Sequence, residues 1–130
     1  MIGNKTIKVA FADHYKLMRE GVKEYLLKSD FTVTLEASNG NELLNLLTEE
    51  NCPDICLVEI HLKNVDYETI SLLKIKWPNI KIVVYSLERG LPINQPLLMA
   101  ADAVLSKNIS LGELKETLAR LSQQKLVLTS

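Results

Sequence analysis

Ile55-Cys56-Leu57-Val58-Glu59-Ile60 decides the fold of this chain. The run is apolar at every position until Glu59, so both faces of a strand built from it are oily. Such a strand belongs at the centre of a parallel sheet covered by helices on both sides. Upstream, Asn39-Gly40-Asn41 punctuates the chain, and a Leu-rich helix is expected from about Glu42 to Glu50. Phe31-Thr-Val-Thr-Leu-Glu36 alternates apolar and polar, the pattern of a half-exposed strand. Leu17, Gly21 or Val22, Tyr25 and Leu26 have helical spacing over Tyr15 to Lys28. Lys5 to Ala12 reads as a strand with Ile7, Val9 and Phe11 on one face.

Downstream, Asp66 is placed to cap a helix carrying Ile70, Leu73 and Trp77 that stops before Pro78. Ile80 to Tyr85 and Ala103 to Leu105 are the fourth and fifth strands, and Leu111, Leu114, Leu118 and Leu121 mark a final helical face. Between those two strands, Leu91-Pro-Ile-Asn-Gln-Pro96 forbids a continuous helix, because proline lacks a donor and clashes with the preceding turn. A short helix from near Pro96 is expected instead. Strands alternating with helices predict an α/β fold with one open parallel sheet and helices on both faces. With right-handed crossovers, the flavodoxin-like (βα)5 order 2-1-3-4-5 follows. It puts the alternating second strand at an edge and the apolar third at the centre.

The chain has 130 residues, enough for one domain with its own core. Fifteen Lys and Arg against sixteen Asp and Glu leave a formal charge of -1, which excludes a globally basic nucleic-acid binder. With 47% hydrophobic and 24% charged residues, the composition excludes a disordered chain. No apolar run approaches a membrane span, and MIGNKTIKVAFADH lacks the apolar core of a secretory signal, so a cytoplasmic setting is expected. Cys52 and Cys56 match no zinc or CxxC spacing; Cys56 reads as a small buried hydrophobe and Cys52 as a loop thiol.

Open parallel sheets bind ligands outside the carboxyl ends of their strands. The first strand delivers Asp13-His14 there, the third Glu59-Ile60-His61, the fourth Ser86 and the fifth Lys107. Taken singly, each has an ordinary structural reading: Asp13 as a helix cap, Ser86 as a turn former, Lys107 as a solvated amine. Together they form a candidate site.

These residues carry a resemblance. Val9-Ala-Phe-Ala-Asp-His-Tyr-Lys-Leu-Met-Arg-Glu-Gly21, Glu36-Ala-Ser-Asn-Gly40, Pro53-Asp-Ile-Cys-Leu-Val-Glu-Ile60 and Ala101-Asp-Ala-Val-Leu-Ser-Lys107 resemble the receiver domain of bacterial two-component response regulators over about Ile7 to Leu121. The similarity is greatest to receivers with a C-terminal helix-turn-helix output domain. It implies a magnesium-dependent transfer of a phosphoryl group from a histidine kinase to an aspartate on the third strand. It implies that Asp13 is the first metal-binding acid, that Ser86 and Lys107 contact the phosphoryl group, and that the metal also takes Glu59 and the backbone carbonyl of His61.

Three positions depart from the pattern. His14 stands where a second acid is expected, Glu59 where the phosphoacceptor aspartate is expected, and Val104 where an aromatic usually changes rotamer. With an acid lost, a weak magnesium site or none is expected, since magnesium wants hard oxygen ligands in octahedral geometry. The extra methylene of Glu59 displaces the nucleophile by ~1.5 Å, and misplacement by about 1 Å costs on the order of 100-fold in rate. The expectation is therefore an atypical, phosphorylation-independent pseudo-receiver acting through protein contacts, with no enzymatic activity beyond autophosphorylation at most. Glu59 would either mimic the phosphorylated state in part or leave no switch. The alternative is a genuine phospho-receiver that modifies Glu59 slowly. A flavin catalyst is disfavoured, because Asp13-His14-Tyr15-Lys16 has no glycine to cradle phosphate.

A lesser alternative is a transition-metal site from Asp13, His14, Glu59 and His61. The receiver is expected over residues 5–122, with 123–130 as a tail or the start of a linker to an output domain through which alone DNA would be bound. Lys115 and Arg120, outside the leucine face of the last helix, mark a candidate dimer or partner surface, or else an ordinary solvated face.

Overall fold

The computed structural model describes residues 6–59, 67–85, 100–105 and 110–129. In chain order the elements are β1 (Ile7–Ala12), α1 (Lys16–Leu27), β2 (Phe31–Ala37), α2 (Gly40–Leu46), β3 (Ile55–Glu59), α3 (Tyr67–Lys76), β4 (Lys81–Tyr85), β5 (Ala103–Leu105) and, numbered α4, the helix Leu111–Thr129. The five strands form one sheet of order β2-β1-β3-β4-β5, with every pair parallel. The expected topology is the observed one, and the apolar third strand is its centre.

Alternate residues of each strand feed two apolar layers. Val9, Phe11, Ile55, Leu57, Val83 and Tyr85 pack with Val22 and Leu26 of α1 and Leu114, Leu118 and Leu121 of α4. Ala10, Ala12, Cys56, Val58, Ile82 and Val84 pack on the other face with Leu43 of α2, Leu47, and Ile70 and Leu73 of α3. At roughly 1.5–3 kcal/mol per large apolar side chain buried, these layers dominate the stabilisation of the sheet.

Polar side chains fix the element ends. Asn39 accepts the Glu42 N–H at 2.8 Å, and Glu42 returns its carboxylate to the Ser38 N–H at 2.9 Å, starting α2 at Gly40 rather than at Glu42. Ser110 accepts the Glu113 N–H at 3.0 Å and starts α4 in the same way. On the sheet, Asp102 accepts the Ile82 N–H at 2.7 Å and the Lys74 ammonium at 2.9 Å, which anchors the entry to β5.

The structure corrects several expectations. β2 does not keep one alternation throughout. A bulge between Val9 and Ala10 in the β1–β2 pairing leaves Thr34 unpaired, so Ala10 opposes Leu35. The extra residue reverses the faces: Phe31 and Val33 join the layer of α1 and α4, while Leu35 and Ala37 join the opposite one. Leu17 is 82% exposed and lies off the buried stripe of α1, which runs through Met18, Val22 and Leu26 instead. Leu111, in the first turn of α4, is also exposed. α2 ends at Leu46, because Leu47 turns extended and buries its side chain. α4 continues through Thr129. The Asp66 cap and the short helix near Pro96 lie outside the described residues.

Candidate functional site

The carboxyl ends of β1, β3 and β4 meet on one rim. Ala12 pairs with Val58, so Asp13 and Glu59 each follow one residue past the same rung, and Glu59 in turn pairs with Tyr85. Of the residues expected here, Asp13 is fully buried, Glu59 is half-buried and His14 is exposed. The His14 ring lies edge-on to Tyr15, with centroids 5.2 Å apart. Val104 pairs with Val84 and is 36% exposed, an aliphatic side chain at the surface. His61, Ser86 and Lys107 lie outside the described residues.

Asp13 is satisfied entirely from within the chain. Its N–H donates to the Ala37 carbonyl at 3.0 Å, and its own carbonyl accepts from Arg19 Nη1 at 2.5 Å. One carboxylate oxygen, Oδ1, accepts the Tyr15 N–H at 2.8 Å, and the other, Oδ2, accepts the Tyr85 hydroxyl. Asp13 is therefore not the N-cap of α1 that its sequence position suggests; it lies two residues before the cap and ties the loop together instead. Tyr15 takes the N-cap position of α1 and makes no side-chain cap bond.

Sequence reasoning passed over two members of this site. Tyr85 was read only as the last residue of an apolar strand. It is 7% exposed, and its ring centroid sits 5.8 Å from that of Phe11 at an interplanar angle of 57°. Burial, its bond to Asp13 and the negative charges of Asp13 and Glu59 push the Tyr85 phenol far above its usual range, with Arg19 opposing in part. The hydroxyl is a donor at every ordinary pH. The available signal was chemical: a buried tyrosine seeks a partner for its hydroxyl, and this rim offers carboxylates. Arg19 is the other omission. Besides holding the Asp13 carbonyl, its Nε lies 3.4 Å from Glu36, whose other oxygen is 3.0 Å from Lys23 Nζ.

Magnesium requires several oxygen ligands at close to octahedral angles and surrenders its waters reluctantly. Among the described residues, the rim offers such an ion two carboxylates, Asp13 and Glu59. Each oxygen of Asp13 shares its charge with one internal donor, and an exposed imidazole follows it in the chain where a further oxygen ligand would serve the ion better. Among the described residues, no three His, Cys, Asp or Glu side chains gather to hold a metal ion.

Around the corner from the rim, Tyr15, Leu17, Met18, Gly21 and Val22 face Leu111 across an open groove of about 610 Å³. Its walls are almost wholly apolar. Among the described residues, no helix is long and apolar enough to cross a membrane.

Comparison with known proteins agrees with this geometry. A family model described as response regulator receiver domain matches residues 9–119. The response regulator protein VraR of Staphylococcus aureus is 26% identical over 125 residues, covering 94% of this chain but 59% of that protein. The signal receiver domain of the putative response regulator NarL from Mycobacterium tuberculosis superposes with a TM-score of 0.80 at 21% identity, over 92% of this chain and 98% of that one. RcsB from Salmonella enterica serovar Typhimurium, solved bound to a promoter, superposes with a TM-score of 0.77 at 18% identity, over 92% of this chain and 61% of that one.

Proposed function

This chain belongs to the response regulator receiver domain family of two-component signal transduction, and from that premise we propose that it signals through protein contacts without being phosphorylated. The observation that carries the reading is the acid at the end of β3. It is a glutamate, Glu59, set beside Asp13 and an exposed imidazole rather than beside a second acid. Phosphoryl transfer depends on placing the nucleophile and neutralising charge that spreads over the phosphoryl oxygens. A longer side chain impairs the first, and a rim with one acid fewer impairs the second. The apolar groove between the starts of α1 and α4 supports protein contact as the remaining activity.

The chain spans about 59% of the length of VraR and 61% of that of RcsB. In the proposed reading, any effect on transcription passes through an output domain outside these residues, as a promoter-bound relative suggests. A histidine kinase, if it docks, serves as a binding partner and not as a phosphoryl donor.

Incubation with acetyl phosphate and magnesium, followed by intact mass and peptide mapping, tests this directly. The expected result is unmodified protein under conditions that modify an aspartate-bearing receiver run in parallel. A single phosphate mapping to Glu59 overturns the reading in favour of a slow phospho-receiver.

A further inference from the structure

We propose that Tyr85 is the built-in occupant of the cation pocket: its hydroxyl takes the Asp13 oxygen that a divalent ion would need, and so denies the site a metal. The inference rests on the reading above and names the residue responsible. Asp13 is fully buried, and each of its polar atoms has a partner in the chain: Ala37, Arg19, Tyr15 and Tyr85. Three of these bonds involve main-chain groups, which hold the loop after β1 in shape. The bond to Tyr85 Oη is between two side chains, so it is the one a substitution can remove without disturbing the backbone.

The tyrosine is held in place by structure unrelated to any metal. β4 is hydrogen-bonded on both sides, so Tyr85 lies opposite Glu59 on one flank and Leu105 on the other. Its ring tilts against Phe11 in the layer beneath α1 and α4. A cation approaching Asp13 Oδ2 competes with the phenol hydroxyl for that oxygen's charge and for the space around it. Deleting only the hydroxyl keeps the ring and its packing, and opens a space the size of one metal-bound water. Because a hydrogen bond to a charged acceptor is worth on the order of a factor of 10–100 in an equilibrium, Tyr85→Phe should tighten divalent binding by about that factor.

The test uses the 130-residue chain and Mn²⁺ as the probe, followed by electron paramagnetic resonance and by calorimetry. Wild type, Tyr85→Phe, His14→Asp and the double variant are compared after their circular dichroism and melting have been matched. Tyr85→Phe is expected to bind at least tenfold more tightly than wild type, and the double variant more tightly still. His14→Asp alone is expected to gain little, because the tyrosine still covers Asp13. Folded Tyr85→Phe that binds no better than wild type overturns the inference. So does His14→Asp alone binding as tightly as the double variant. Should the phenylalanine variants fail to fold, His14→Asp decides: a tenfold gain with Tyr85 in place refutes the blocking role, and no gain supports it. Failure of the underlying reading looks different, since it is a phosphate on Glu59 of the wild type, whatever Tyr85→Phe does with manganese.

Discussion

Replacing Tyr85 with phenylalanine should also leave a signature in stability against pH, independent of any metal. At neutral pH the variant loses one hydrogen bond to a buried carboxylate and keeps the ring packing on Phe11. A bond of this type contributes about 1.5–3 kcal/mol, so the variant should be less stable by that amount at pH 7. The phenol pKa is raised in the folded protein above its ordinary value of 10.0. A group raised on folding contributes stability that is whole below the unfolded pKa and is lost as pH climbs toward the folded one. In wild type, each pH unit above about 10 should therefore remove about 1.4 kcal/mol, while the phenylalanine variant has no phenol to ionise. As pH climbs above 10 the gap between the two proteins should therefore narrow. Cys56, whose thiol burial pushes up to about 12, erodes stability above pH 9 in both proteins and cancels in the difference. Urea unfolding at intervals from pH 7 to 12, with reductant present, measures that difference. A gap that stays constant up to pH 12 would show that the Tyr85 hydroxyl is not the protonated donor to Asp13.

The thiols should differ in reactivity: at pH 8 a disulfide-exchange reagent should label Cys52 in the native protein and reach fully buried Cys56 only in denaturant. Two labels at equal rates without denaturant would contradict the burial of Cys56. Leu118→Ala, at a fully buried position under the sheet, should cost about 2–5 kcal/mol in urea unfolding, whereas Leu17→Ala, at an exposed one, should change stability by no more than about 0.5 kcal/mol. A loss of several kcal/mol at Leu17 would mean that the wrong stripe of α1 has been assigned to the core.

The sheet order was legible because burial on two faces leaves a coarse mark. β3 is oily at four successive positions, and only a central strand has a use for that. Bulges leave no such mark, and the change of face between Val33 and Leu35 follows from an unpaired Thr34 that strict alternation conceals. Leu17 misled for a related reason, since at a helix start one residue of phase separates the core stripe through Met18 from open solvent. In the site, Asp13 and Glu59 were found because strand ends are where a parallel sheet places chemistry. Tyr85 was missed because in a strand-forming run an aromatic counts first as packing. Its hydroxyl acquires a role only once the register brings β4 beside β3 and Asp13 is known to point inward.

The rim has the character of a structural joint. Through Asp13, the loop after β1 is tied to β2 at Ala37, to β4 at Tyr85 and to α1 at Arg19, which in turn faces Glu36 on β2. A pocket meant to exchange a cation and a phosphoryl group needs acceptors left open to them, because each internal donor competes with the ligand for the same charge. A joint needs the opposite, since a buried carboxylate costs stability until its oxygens are satisfied. Asp13 meets the second requirement at the expense of the first. The two apolar layers lie beneath the rim and, Tyr85 apart, draw on other side chains, so the receiver scaffold does not depend on how the Asp13 oxygens are used. If the proposed reading holds, loss of phosphoryl chemistry leaves the sheet and its two layers standing, because the fold draws its stability from them and not from the rim.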